Sequence, residues 1–346
     1  MAVFFINAVR MALEGLNEKK YNSMKICYVG ELARTPDAPD HKGIIQGLTW
    51  LKEEGAIKDF KIVDPILNNR NEVVRQCNEY GADLVVHGNT DSLTLGIIPE
   101  IKAGDQVFFM GDLRLNKEYY HQWSKWIEGS KGLSHLLLSN RTQLEMWSKD
   151  FGIPASFWPH GCYVPDQMVF DEAFDKGVVF IGSMIPEYPF NHRIELIKKI
   201  QEKLSVPLTL LNGDGTLGRN KIWQDMPKIY HSSKVVLDVS HFWDFDGYAS
   251  GRYWYTAGLG ACSVTKRFPG CDEFYYDTIH KWYFDTADQA ADLIHTLLKD
   301  DKARFKTKIA AYRQNAANHN YRVRFLQLFE ILKYGIVSKS QPSRSS

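Results

Sequence analysis

The chain has 346 residues, of which 44% are hydrophobic and 24% charged, and its formal net charge is +1. This length suits two domains better than one, and the composition is typical of a soluble folded protein. A net charge near zero argues against extensive electrostatic binding of nucleic acid, although it does not exclude a local basic groove. The five cysteines are scattered and show no zinc-ligand spacing. They therefore predict reduced thiols in a cytoplasmic protein.

The N-terminal residues 1–23 are interpreted as an extension that precedes the first domain. Their apolar start, Met1–Ile6, is too short to cross a membrane and has no basic region before it. No later stretch is long and apolar enough either. We expect a protein without a membrane span.

The first half of the chain alternates apolar runs with helical patterns, which predicts a doubly wound parallel sheet. The predicted strands are Lys25–Gly30, Phe60–Val63, Asp83–His87, Val107–Met110 and Leu133–Ser139. The predicted helices are Gly43–Glu54, Asn71–Tyr80 and Thr142–Asp150, the last after a cap at Asn140. Residues 24–165 are therefore predicted to be an N-terminal Rossmann-like domain.

Proline and glycine cluster near Trp158–Pro165, and we place a linker at about residues 159–172. A second βα series follows, which predicts a C-terminal Rossmann-like domain over 166–320, a closing helix over 321–335 and a disordered tail over 336–346. Its predicted strands are Gly177–Gly182, Val206–Leu211, Lys234–Ser240 and Ala261–Thr265. Its predicted helices are Asn191–Lys203, Pro227–Ser232, a helix near residues 250–260, Thr286–Leu298, Lys302–Ala317 and Tyr321–Tyr334.

The most informative segment is Ser250–Ala261, which reads Ser-Gly-Arg-Tyr-Trp-Tyr-Thr-Ala-Gly-Leu-Gly-Ala between two predicted strands. A helix that begins at the carboxyl edge of a parallel sheet offers backbone N–H groups to an anion. Arg252 in its first turn could pair with a phosphate. The segment favours a ligand with a diphosphate group. An ordinary crossover with a surface arginine remains open.

The second half resembles the C-terminal domain of GT-B glycosyltransferases, and most closely the spore-maturation (CgeB-like) group of group 1 glycosyl transferases. Three segments carry the resemblance: Ser233–Ser240, Gly251–Gly260 and Thr265–Glu273. It implies an α/β protein of the GT-B fold, with two Rossmann-like domains facing across a cleft. It also implies a hexosyl- or pentosyltransferase that moves a sugar from a nucleotide sugar, such as a UDP-sugar, to a hydroxyl acceptor.

The resemblance implies a donor site at the strand ends and the helix start of the second domain. The candidate donor-binding residues are Gly182, Ser183, Arg193, Arg219, Lys221, Ser240, Asp246, Tyr248, Gly251, Arg252 and Tyr255. The chain departs from many relatives at Tyr255, where they carry a glutamate that holds the donor ribose. A tyrosine hydroxyl could replace that carboxylate, or its partner could lie elsewhere. This departure keeps a catalytically inactive, nucleotide-binding relative open as the alternative function.

We expect no metal cofactor. Asp244 and Asp246 form an Asp-x-Asp pattern, but GT-B enzymes generally act without a metal. A nicotinamide-dependent oxidoreductase is a third reading, and the chain lacks the dinucleotide fingerprint for it.

An inverting transfer needs a general base beside the acceptor hydroxyl. His41, Asp91 and Asp112 are the candidate catalytic residues, because each follows a predicted strand of the first domain. The acceptor itself stays open among glycans, proteins, small molecules and, in a viral setting, a hydroxymethylated DNA base.

Overall fold

The structure is a computed structural model. It describes residues 23–32, 36–88, 91–114, 120–184, 191–211 and 219–334, apart from the side chains of residues 120, 121, 219, 220, 333 and 334. Residues 1–22 of the predicted extension and the predicted tail 336–346 lie outside this description.

The described residues form two parallel β-sheets with flanking helices, which confirms the predicted α/β class. The first sheet has the strand order β2-β1-β3-β4-β5-β6 and the second has the order β11-β10-β9-β7-β8. The first sheet consists of β1 Lys25–Val29, β2 Asp59–Val63, β3 Leu84–His87, β4 Asp105–Met110, β5 His135–Leu138 and β6 Ala155–Phe157. The second consists of β7 Val178–Ile181, β8 Leu208–Leu211, β9 Val235–Asp238, β10 Ser263–Lys266 and β11 Trp282–Phe284.

The helices that precede β7 along the chain are α1 Pro39–Glu53, α2 Arg70–Tyr80, α3 Asp91–Thr94, α4 Tyr120–Gly129 and α5 Leu144–Phe151. Those of the second half are α6 Asn191–Lys203, α7 Arg219–Ser232, α8 Gly251–Gly258, α9 Ala287–Lys299, α10 Asp301–Asn318 and α11 Tyr321–Tyr334. Four interior strands, β3, β5, β7 and β9, are buried along their whole length, as parallel strands covered on both faces require.

Two helices start at least four residues earlier than predicted. Helix α1 begins at Pro39, because proline is suited to the first helical turn and Asp40 beside it favours the positive end of the helix dipole. Helix α7 begins at Arg219, whereas the sequence predicted only Pro227–Ser232. Pro227 lies inside this helix and removes one backbone hydrogen bond. The buried side chains at helical spacing hold the helix despite that loss: Ile222, Met226, Ile229 and Tyr230.

The chain folds into two compact units that do not follow the sequence order. One unit, called the C-terminal unit, contains Leu32–Glu53 and Pro159–Arg324. The other, called the N-terminal unit, contains β1, Glu54–Trp158 and the described residues from Phe325 onward. Helix α1 thus belongs with the second sheet. The domain boundaries predicted from sequence stay a prediction.

Helix α1 packs closely on the segment that enters the second sheet. Gln46 donates to the carbonyl of Val164 at 2.8 Å and accepts from the Val164 N–H at 2.9 Å. A Cβ on Gly43 would lie 2.8 Å from the backbone nitrogen of Tyr163, and one on Gly47 would lie 2.6 Å from that of Arg322. Glycine at these two positions lets the helix approach the backbone of its neighbours.

Candidate active site

The carboxyl ends of β7 and β9 meet at one edge of the second sheet, and helix α8 begins beside them. Gly182 follows β7 and continues its pairing with β8 through a hydrogen bond from its N–H to the carbonyl of Leu211, 2.9 Å long. Ser240 lies just beyond β9. Its hydroxyl oxygen accepts from the N–H of Ser250 at 3.1 Å. Ser250 is the residue before α8, so Ser240 fixes the start of that helix at the sheet edge.

Arg252, in the first turn of α8, is held by both strands. Its Nε donates to the carbonyl of Ile181 at 2.5 Å, and its Nη1 donates to the carbonyl of Val239 at 2.8 Å. The guanidinium carbon lies 4.8 Å from the ring centre of Phe180. A Cβ on Gly182 would lie 2.2 Å from Nη2 of Arg252. The charge is therefore fixed at the helix start, where the first backbone N–H groups of α8 have no partners within the helix.

A second guanidinium and a neutral histidine lie near Arg252. Arg193 of α6 is buried, with 1% of its surface exposed, and its Nη2 donates to the carbonyl of Ser183. Burial, with the nearby charges of Arg193 and Arg252, lowers the pKa of His241 to about 3. The hydroxyl oxygen of Ser183 is buried and has no hydrogen-bond partner among the described residues. This edge of the sheet is strongly positive and suited to an anion.

Tyr255 lies on α8. Its ring is buried, and the charge of Asp40, in the first turn of α1, acts on its hydroxyl. Burial, with the charge of Asp40 adding to it, raises the pKa of the Tyr255 hydroxyl well above its usual value. The hydroxyl of Tyr255 therefore stays protonated. It lies 2.5 Å from the position that a Cβ on Gly251 would occupy. Asp40 was not among the candidates derived from sequence, which singled out its neighbour His41.

His41 lies beside Asp40, with 4.0 Å between His41 Nε2 and Asp40 Oδ2. Both residues belong to α1 and hence to the C-terminal unit, together with Tyr255 and Arg252. The prediction assigned His41 to residues 24–165. The structure brings it into the same unit as the candidate donor residues.

Asp91 and Asp112 belong to the N-terminal unit. Asp91 is the first residue of the short helix α3, which follows β3, and Asp112 is an exposed residue just after β4. Strands β3 and β4 are neighbours, so both aspartates lie at the carboxyl edge of the first sheet. Their catalytic role stays a prediction.

The remaining candidates occupy the loop before α8 and the start of α7. Tyr248 is buried and packs against Phe242, and Asp246 is half-buried in the same loop. Lys221 is exposed and pairs with Asp225 in its own helix at 2.9 Å. Arg219 is the first residue of α7, and its side chain is not described. Within the described ranges, no group of three or more His, Cys, Asp or Glu side chains is placed to hold a metal ion.

A buried lysine contacts α8, β9 and β10, and its burial could not be predicted from the sequence. Lys281 is fully buried, and its ammonium donates to the hydroxyls of Thr256 at 2.6 Å and Ser263 at 3.2 Å. It lies 3.7 Å from the carboxylate of Asp238 at the end of β9. Burial lowers the pKa of Lys281 to about 8. This network fixes α8 on β9 and β10.

Comparison with known proteins identifies the protein family that the second half resembles. Residues 194–330 match the sequence model of the glycosyl transferase-like family. No curated protein sequence matches the chain significantly. The matched segment contains Arg252, Tyr255 and the end of β9, whereas the end of β7 lies outside it, and the match supports glycosyl transfer from a nucleotide sugar.

Solved structures match over most of the chain. HepE of Anabaena, in complex with UDP and glucose, is 13% identical, with a TM-score of 0.59 over 90% of this chain and 99% of HepE. The T4 phage BGT, in complex with UDP-glucose, is 11% identical, with a TM-score of 0.56 over 89% of this chain and 98% of BGT. Sucrose-phosphate synthase from Thermosynechococcus elongatus is 10% identical, with a TM-score of 0.53 over 90% and 98% of the two chains.

The predicted GT-B fold and the resemblance to group 1 glycosyl transferases are confirmed. The narrower resemblance to the spore-maturation group stays a prediction. No helix in the described parts of the chain combines the length and the apolar character needed to cross a membrane.

Proposed function

We propose that this protein is a glycosyltransferase that moves a sugar from a UDP-sugar to a hydroxyl group of an acceptor. One observation carries the proposal. Arg252 is fixed by the ends of β7 and β9 at the start of α8, next to the buried Arg193. The family match over residues 194–330 supports the same activity, and GT-B enzymes use nucleotide sugars as donors.

The positive sheet edge would stabilise the leaving group. When the bond between the sugar and the diphosphate breaks, negative charge grows on the diphosphate oxygens. Arg252 and the first N–H groups of α8 are held in place before the reaction, so they stabilise that charge without reorganising. The sugar carbon would pass through an oxocarbenium-like transition state, as in glycosidases.

The acceptor hydroxyl needs a proton acceptor if the configuration at the sugar carbon is inverted. His41 is our first candidate, because Asp40 lies beside it and because its helix α1 belongs to the same compact unit as Arg252. Asp91 and Asp112 are the other candidates. A retaining enzyme need not use such a base, because the leaving phosphate can take the proton.

A binding screen tests the donor assignment. UDP, UDP-sugars and other nucleoside diphosphates are added to the full chain, and its melting temperature is measured. A ligand at about 100 times its dissociation constant should stabilise the fold by about 2.7 kcal/mol. If no nucleotide raises the melting temperature, the proposed donor is wrong. Binding without turnover on any acceptor would instead identify the catalytically inactive alternative.

Mass spectrometry of candidate acceptors then tests the transfer. Glycans, proteins, small molecules and DNA with hydroxymethylated bases are incubated with the preferred donor, and the added sugar mass is sought. We place the activity in the cytoplasm as part of this proposal, because all five cysteines are free thiols.

A further inference from the structure

We infer that Lys281 is a positioning residue of the donor site, which keeps Arg252 in place for the diphosphate by joining α8 to the end of β9 through its positive charge. The inference rests on the proposed function, since it takes the diphosphate to bind at the start of α8. Lys281 is fully buried, so it acts on the ligand through the elements that it contacts.

The contacts of Lys281 lie directly behind those of Arg252. Its ammonium donates to the hydroxyl of Thr256 at 2.6 Å. Thr256 lies four residues after Arg252 and therefore on the same face of α8. The ammonium also lies 3.7 Å from the carboxylate of Asp238, and the next residue, Val239, supplies a carbonyl that accepts from Arg252 at 2.8 Å. Lys281 thus joins α8 and β9 one helical turn beyond the point where Arg252 joins them.

The charge of Lys281 balances a buried carboxylate close to the site. Asp238 is 1% exposed, and its Oδ1 has no hydrogen-bond partner among the described residues. Its Oδ2 accepts from the hydroxyl of Thr265 at 3.4 Å, near the limit for a hydrogen bond. A buried carboxylate without a balancing cation is costly and repels an anion. Loss of the ammonium charge would therefore leave a negative charge one residue before Val239, beside the proposed diphosphate site.

The charge of Lys281 changes in mildly alkaline solution. Burial lowers the pKa of its ammonium to about 8, while the carboxylate of Asp238 opposes this effect. Two tyrosine rings also face the ammonium, with ring centres 4.4 Å and 5.3 Å away. Burial raises the pKa of three tyrosines and two cysteines in this cluster and lowers the pKa of one histidine: Tyr253, Tyr275, Tyr283, Cys162, Cys271 and His280. These six side chains stay uncharged between pH 7 and pH 9, whereas Lys281 loses its proton.

UDP affinity should fall as Lys281 loses its proton. If the charge strengthens UDP binding by about 10-fold, a pKa of about 8 makes the affinity fall by about 5-fold between pH 7 and pH 9. The stability of the fold should respond in the opposite direction. The pKa of Lys281 is lower in the folded chain than its usual 10.5, so the unfolded chain binds more protons above pH 8 and this group favours the folded chain as the pH rises.

The test compares the wild type with Lys281→Met, which keeps a side chain of similar length without the charge. Isothermal titration calorimetry measures the UDP affinity of both full chains at pH 7, 8 and 9 and constant ionic strength. We expect the wild type to bind UDP about 10-fold more tightly than the variant at pH 7 and about 2-fold more tightly at pH 9. The ratio removes the ionisation of UDP itself, because both proteins bind the same ligand. Urea denaturation should show the wild type gaining stability relative to the variant between pH 7 and pH 9.

Two further variants separate this role from a general effect of burying a lysine. Lys308→Met is the matched control, because burial also lowers the pKa of Lys308 to about 8 but its ammonium donates to the carbonyl of Ser233, 2.9 Å away, before β9 begins. It should keep the wild-type UDP affinity and pH dependence. Thr256→Val removes the hydroxyl that receives the Lys281 ammonium and retains its shape. It should weaken UDP binding by about 5-fold at pH 7 and reduce the fall between pH 7 and pH 9.

The outcomes distinguish failure of the donor site from failure of the lysine's role. If UDP binds the wild type at none of the three pH values, the proposed donor site is wrong. If UDP binds but the ratio of affinities between wild type and Lys281→Met is equal at pH 7 and pH 9, the donor site stands and Lys281 does not position it. The same conclusion follows if Lys308→Met changes the pH dependence as Lys281→Met does. Circular dichroism shows whether each variant is folded, and if Lys281→Met is not, an unchanged affinity and pH profile of Thr256→Val overturns the inference.

Discussion

A single added methyl group tests whether Arg252 is held as described. In Gly182→Ala, the new Cβ would lie 2.2 Å from Arg252 Nη2 and 2.9 Å from the end of the Phe180 ring. Such atoms normally stay about 3.5 Å apart, so the guanidinium has to move by roughly 1 Å. Gly182 is not among the described glycines with positive φ, so its backbone accepts alanine without strain.

The size of the effect follows from the contacts that the movement breaks. Arg252 would lose its fit to the carbonyls of Ile181 and Val239. Overpacking of this kind costs about 1–3 kcal/mol. Arg252 is half-buried and water can replace part of its hydrogen bonding, so we expect a loss of about 1–2 kcal/mol in the free energy of unfolding. UDP affinity should fall by about 10-fold or more, because the charge is displaced from the start of α8.

A double-mutant cycle with Arg252→Ala isolates the collision. Urea denaturation gives the stability of the wild type, both single variants and the double variant, and calorimetry gives their UDP affinities. Once Arg252 is absent, the methyl at position 182 should cost at least about 1 kcal/mol less than it does in the wild type. If the two substitutions add within about 0.5 kcal/mol in both measurements, Gly182 does not act through Arg252 and our description of the site is refuted.

Three further predictions address the base, the pH dependence and the core. If NMR shows that transfer inverts the configuration at the sugar carbon, one of His41→Gln, Asp91→Asn and Asp112→Asn should slow transfer by about 10²–10⁴-fold and leave UDP affinity unchanged. If all three variants remain active, none of the three residues is the general base. Burial lowers the pKa of His87 to about 4, so the unfolded chain binds more protons between pH 6.5 and 4, and stability should fall as the pH drops through this range. The titration of His87 alone should lower the free energy of unfolding by about 2 kcal/mol between pH 7 and pH 5. An equal free energy of unfolding at the two pH values would contradict this. Trp147→Ala should cost about 3–5 kcal/mol, because Trp147 is fully buried and packs on Trp123 and Phe151, whereas Phe305→Ala at an exposed site should change stability by less than about 0.5 kcal/mol.

The sequence was sufficient where the signal is local. Buried strands such as β3 and β9 are short apolar runs, and both were predicted within one or two residues of their bounds. The start of α8 was predicted from the loop and glycine pattern of one segment, and Arg252 does lie in its first turn. Three-residue strands were missed because β6 and β11 are too short to show a period.

The sequence was insufficient where distant segments meet. Asp40 and Tyr255 are more than 200 residues apart, and no periodicity connects them. Lys281 reads as a surface residue, and only the fold buries it against Thr256 and Asp238. Helix α1 has the pattern of any crossover helix after a first strand. Its place beside the second sheet depends on the close approach at Gly43 and Gly47, which is a property of three-dimensional packing.

The membership of α1 in the C-terminal unit bears on how such proteins can be recombined. The chain passes between the two units near residues 31, 53, 158 and 324. A chimera that replaces only the contiguous second half would separate Gln46 of α1 from the Val164 backbone to which it is hydrogen-bonded. The module that can be exchanged between such proteins is therefore discontinuous. Leu32–Glu53 has to be replaced together with Pro159–Arg324 so that the contacts within this unit are preserved.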